Sequence, residues 1–112
     1  MAFTSDLEMQ NGIAKITLYG ELDASVAPIF REKVEAAAAE QPKRVVLLME
    51  NLEYMSSAGL RALIFAKQKM GSGVDIYVVA PQEGVRETLD MTGFSNSVIV
   101  VDQYDAAEIE NI

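Results

Sequence analysis

The chain has 112 residues, half of them hydrophobic, enough to bury one core without disulfide or metal support. It contains no Cys and no His, which excludes disulfides, thiolate nucleophiles, Ser-His-Asp triads, phosphohistidine and zinc held by either residue. Seventeen acidic against nine basic residues leave a net charge of −8, which repels phosphate backbones and anionic lipid heads, so neither nucleic acid nor a membrane is an expected partner.

No segment approaches the ~20 consecutive apolar residues of a membrane span, and the opening MAFTSDLEMQ lacks the basic-then-apolar pattern of a secretory signal. A cytoplasmic protein is expected. Glycines and prolines are scattered and no repeat is present, so residues 1–112 are read as a single domain.

Phe3 to Glu8 and Ile13 to Tyr19 are predicted strands around Gln10-Asn11-Gly12, because Asn-Gly tolerates the positive φ angles of a tight hairpin. From Val26 to Glu40, the spacing Val26, Phe30, Val34, Ala37 is a helical stripe with Pro28 tolerated in its first turn and Pro42 ending it. Arg44 to Met49 is a continuous apolar run suited to a strand covered on both faces. A loop and a helix from about Ser57 to Lys69 follow, stopped at Gly71-Ser72-Gly73. Val74 to Val79 is predicted as a strand, Gln82 to Met91 as a helix, Ser97 to Val101 as a strand and Tyr104 to Ile109 as a closing helix. The order β-β-α-β-α-β-α-β-α implies an α/β fold, a mostly parallel sheet with an antiparallel hairpin at its start and about four helices.

Two features carry possible chemistry. In YMSSAGLRAL, Ser56 and Ser57 stand between a strand and a helix. Capping is the ordinary role of serine there. A helix N-terminus also offers free N–H donors and a positive dipole end, so a phosphoryl group on one of these hydroxyls would be well held. Ala58 and Gly59 are small and would leave the hydroxyl approachable.

The second feature is Gly20-Glu21-Leu22-Asp23, a turn with two carboxylates whose ordinary role is an Asp-capped loop. If the strands before the two turns are neighbours, Asp23 comes near the serines and can bond a hydroxyl or contact a kinase. The helix after Ser57 is apolar at Ala58, Leu60, Ala62, Leu63, Ile64, Phe65 and Ala66; it is either deeply buried or presents a contact patch beside Arg61.

Gly-x-Ser-x-Gly, Ser-x-x-Lys and Walker patterns are absent, and Gly71-Ser72-Gly73 lacks the rest of a dinucleotide fingerprint. Asp23, Glu50 and Glu53 are the carboxylates nearest to a Mg²⁺ set, but loop carboxylates are ordinarily solvated. No metal, cofactor or catalytic residue is expected.

GELDASVAPIF, RVVLLMENLEYMSSAGLRAL and RETLDMTGF, in that order, resemble the STAS domain family, and specifically the free-standing bacterial anti-sigma factor antagonists. The resemblance spans about Phe3 to Ile109. It implies partner switching: the unphosphorylated antagonist binds an anti-sigma factor that is also a serine kinase, freeing the sigma factor. Phosphorylation of one serine reverses this, and a serine phosphatase restores the binding form. In the family's Asp-Ser-Ser-Gly-Leu version the acceptor lies three residues before the Leu, which here is Ser57. Ser56 takes the Asp position, and Leu48 stands where many relatives carry Asp or Asn.

The resemblance assigns the partner surface to Glu21, Asp23, Ser56, Ala58, Gly59, Leu60 and Arg61. Two alternatives accompany this expectation. One is a STAS adaptor in another signalling or lipid-transport system that is never phosphorylated. The other is a small hydrolase or nucleotide-binding enzyme with Ser57 as nucleophile, which the lack of His, Cys and a nearby base disfavours.

Overall fold

The computed structural model describes residues 2–112. Asn11 and Gly12 adopt φ of 52° and 83°, the left-handed pair that a two-residue hairpin of this twist requires. They join β1 (Thr4–Gln10) to β2 (Ile13–Leu22) in antiparallel register, with Gln10 opposite Ile13. β3 (Arg44–Met55), β4 (Asp75–Val79) and β5 (Ile99–Val101) then add in parallel, so the sheet runs β1-β2-β3-β4-β5.

The connections are α1 (Ala27–Ala39), α2 (Ser57–Met70) and α3 (Glu83–Met91), with a single 3₁₀ turn at Phe94–Asn96 and a closing α4 (Ala106–Ile109). The expected α/β class, hairpin and helix order are all present. Among the described residues no helix is long and apolar enough to cross a membrane.

Alternate residues of each strand serve opposite faces, as the pleat demands. Ile16, Val45, Leu47, Ile76 and Val78 point to the helices, where Phe30 and Val34 of α1, Leu63 and Ala66 of α2, and Val85 and Leu89 of α3 complete the main core. Fully burying each of the Val, Leu, Ile and Phe side chains stabilises the fold by roughly 1.5–3 kcal/mol. The other face is thinner: Ile13, Val46, Tyr77 and Val79 are covered by Ile109 of α4.

Arg44 secures that cover. Its guanidinium donates to the carbonyl oxygens of Glu108 and Ile109 at 3.0 and 2.8 Å and lies 5.3 Å from the centre of the Tyr77 ring. Lys15 adds an ion pair to Glu110 at 3.6 Å and sits 4.7 Å from the centre of the Tyr104 ring.

The main departure from the sequence reading is the length of β3. It continues six residues past Met49, through a segment expected to be loop. The cause is two bulges: β2 advances four positions from Thr17 to Glu21 while β3 advances six, from Leu48 to Tyr54. Buried positions there are Met49, Leu52 and Met55, every third residue rather than every second, so no strand alternation is visible in the sequence. A smaller departure is β5, which begins at Ile99 because Phe94–Asn96 forms the 3₁₀ turn.

Candidate functional site

The parallel pairing of β2 and β3 runs to their tips, with Glu21 opposite Tyr54 and Leu22 opposite Met55. The turns that follow are therefore neighbours. Ser56 N–H donates to the Leu22 carbonyl at 2.9 Å, tying the start of α2 to the β2–α1 turn.

The two hydroxyls are used differently. Ser56 has extended backbone, φ −82° and ψ 177°, and its Oγ accepts from the Gly59 N–H at 3.2 Å. It is the N-cap of α2 and half-buried. Ser57 is the first helical residue, is exposed, and its hydroxyl makes no hydrogen bond among the described residues. No acidic residue occupies the first turn of α2, so nothing there offsets the positive end of its dipole.

Gly59 and Leu60, expected in a contact surface, are instead buried. A Cβ on Gly59 would stand 2.7 Å from the Leu22 carbonyl oxygen and 2.8 Å from Met55 Cγ, so only glycine lets α2 approach the β2 tip this closely. Leu60 packs in the main core with Ala62, Leu63 and Ala66. Deep burial thus accounts for most of the helix, and the contact patch reduces to a strip. Ser57, Arg61 and Ile64 are exposed at helical spacing, Ala58 is half-exposed, and Phe65 is half-buried with the Arg31 guanidinium 5.3 Å from its ring centre.

Asp23 lies in the adjoining turn, but its hydroxyl partner is Ser25 rather than either serine of α2. Asp23 Oδ1 accepts from Ser25 Oγ at 2.6 Å and from the Ser25 N–H at 2.9 Å. The Asp23 carbonyl takes the N–H groups of Val26 and Ala27, so the residue shapes the entry to α1. The Ser25 hydroxyl holds the Asp23 carboxyl below its usual range. Ser25 carries no sequence signal beyond the Asp-x-Ser spacing of such a turn.

Glu21 is half-buried on β2 opposite Tyr54, which is itself 51% exposed. Glu50 and Glu53 are exposed along β3, and no three acidic side chains converge as a metal would need among the described residues. Leu48 packs against the thin second-face cluster.

A parallel α/β sheet entered by one hairpin, with a free serine at the start of the helix after its central strand, defines the class. The STAS domain family model matches residues 4–107, and the chain belongs to that family. It is similar to the anti-sigma-F factor antagonist RsfB of Mycobacterium tuberculosis, 28% identical over 87 residues, which are 78% of this chain and 71% of RsfB. In fold it is similar to an anti-sigma factor antagonist from Mycobacterium paratuberculosis, with a TM-score of 0.89, 23% identity and 98% and 96% of the two chains covered. The anti-sigma factor antagonist SpoIIAA in its unphosphorylated form superposes with a TM-score of 0.80 at 21% identity, covering 97% and 98% of the chains. The phosphorylated form of SpoIIAA gives 0.71 at 20% identity, covering 94% and 97%.

Proposed function

We propose that this protein is an anti-sigma factor antagonist that works by partner switching, with Ser57 as its phosphate acceptor. The observation that carries the reading is the division of labour between the serines. Ser56 is committed to capping, which leaves Ser57 exposed, unbonded and on the positive end of α2. The names of the relatives support the antagonist role, and SpoIIAA, similar in fold, exists in phosphorylated and unphosphorylated forms.

In the unphosphorylated state the Ser57 end of α2, Ala58, Arg61 and the Glu21–Asp23 turn meet an anti-sigma factor that is itself a serine kinase and supplies the ATP. Ser56 contributes indirectly, by holding the helix start. A groove of about 370 Å³ lined by Leu60, Ile64, Lys67 and Phe94 continues this surface along α2 and gives a partner an apolar hold.

Phosphorylation adds about −1.5 to −2 charges to that surface, and a serine phosphatase removes them. The modified group is tolerated by the domain itself. It meets the free N–H groups of the first turn, and Arg61, one turn on, is exposed on the same helix face. The change is therefore felt at the interface and not in the fold. Such a regulator binds without catalysis and works in the cytoplasm with its kinase.

The test is affinity capture from the native host with tagged wild type, Ser57→Ala and Ser57→Asp, with phosphosites read by mass spectrometry. Wild-type and Ser57→Ala baits are expected to retain a kinase-like anti-sigma factor that Ser57→Asp loses by about tenfold or more, with phosphate on wild-type Ser57. Equal recovery by all three baits with Ser57 unmodified would replace this reading by that of a static STAS adaptor.

A further inference from the structure

Past Leu48 and Thr17 the parallel sheet narrows, because β4 ends at Val79 and β5 at Val101 while paired β2 and β3 run on to Leu22 and Met55. On the thin second face this ledge forms a crevice of about 250 Å³ whose walls include Thr17, Leu48, Glu50, Val79, Ala80 and Tyr104. It is closed on one side by the segment leading to α4.

Two backbone irregularities fall there. The first bulge of β3 falls between Leu48 and Asn51, and Ala80 has a φ of 55° with its N–H bonded to the Val101 carbonyl at 2.8 Å. The crevice lies beyond the carboxyl ends of the parallel strands β4 and β5.

The walls are mainly apolar: Leu48, Val79, Ala80 and the Tyr104 ring. A dry cavity of about 150 Å³ accommodates benzene, so this one has room for a single ring with a short substituent. Glu50 and Asp102 are among the residues that line it, and no basic residue is. Asp102 is held by Arg86 at 2.7 Å, whereas the Glu50 carboxylate has no ion pair or hydrogen bond among the described residues. Lys15 beside Tyr104 is already paired with Glu110. In a chain of net charge −8 such a crevice repels phosphates and carboxylates and attracts cations.

We propose that this crevice is a binding site for a small primary amine with a compact apolar body, its ammonium group facing Glu50 and its body against Leu48, Val79 and Tyr104. The site is separate from Ser57 and stands whether or not that serine is phosphorylated.

Three probes of equal shape test it: benzylamine, benzyl alcohol and benzoate, each titrated into the ¹⁵N-labelled full chain and followed by amide chemical shifts. Benzylamine is expected to shift Asn51, Ala80 and Gln103 saturably, binding about tenfold or more tighter than benzyl alcohol, with no binding of benzoate. Glu50→Gln, an exposed change that spares the core, is expected to abolish the preference for the amine. Leu48→Phe, which fills the crevice, is expected to abolish binding. Non-saturating shifts scattered over the acidic surface, benzyl alcohol or benzoate binding as tightly as benzylamine, or a preference unchanged in Glu50→Gln would each overturn the proposal.

Discussion

At the scale of residues, adjacent serines differ only in where the helix begins, and this yields opposite predictions for them. Ser56→Ala removes the acceptor of the Gly59 N–H and is expected to destabilise the protein by about 0.5–2 kcal/mol, read as a lower midpoint in urea. Ser57→Asp places a negative charge on an uncompensated helix start and is expected to stabilise by about 0.3–1 kcal/mol while weakening partner capture. A stability loss in Ser57→Asp would mean that the site does not accommodate a phosphate. Gly59→Ala pushes a Cβ into the Leu22 carbonyl and the Met55 side chain, with an expected cost of about 1–3 kcal/mol in thermal or urea unfolding. Asp23 is half-exposed, and its carboxyl is held low chiefly by the Ser25 hydroxyl. Its titration followed by NMR should have a midpoint below that of an ordinary aspartate, and Ser25→Ala should raise it.

At the scale of elements, α4 is only four residues long and survives through its attachments. Asp105 caps its start by accepting from the Ala107 N–H at 3.0 Å, and the Arg44 guanidinium donates to its final carbonyls. Arg44→Met keeps the apolar stem and removes those hydrogen bonds, a loss of about 1.5–3 kcal/mol. Hydrogen exchange should then accelerate in residues 105–112 more than in β3 or β4; uniform protection across both would show that Ile109 alone holds the segment. The sequence showed a helix here but not its dependence on a residue some sixty-five positions earlier. Likewise the strand before Ser56 was legible only to Met49, since two bulges erase the alternation that marks a strand.

At the scale of the whole molecule, the thin second face is the alkaline weak point. The Lys15 pKa is raised, first by the neighbouring Tyr104, and that of Tyr104 is raised, first by burial and then by Glu110. Both folded values lie above the unfolded ones, so their contribution is complete below about 10 and is lost as pH rises through the raised values. Urea midpoints should therefore fall on alkaline titration, and the fall should be shallower in Tyr104→Phe. A parallel fall in the two proteins would exclude the Lys15–Tyr104 pair as its source. The main core, built of aliphatic side chains between the sheet and three helices, has no comparable dependence.

What the sequence determined by itself follows from local chemistry: Asn-Gly for the hairpin, the 3.6-residue stripe for α1, the apolar run for β3, the serine pair at a helix start, and the family resemblance. It placed Asp23 in the turn after β2, and Ala58 and Arg61 in the first turns of α2, where they are found, whereas Glu21, read as part of that turn, lies in β2, which runs three residues past Tyr19. Only the tertiary structure decided which hydroxyl caps and which is free, that Gly59 and Leu60 face inward, and that Asp23 bonds Ser25. Those outcomes depend on how closely α2 approaches the tip of β2. That distance is set by parallel pairing between strands more than twenty residues apart, for which no local pattern in the chain carries a signal.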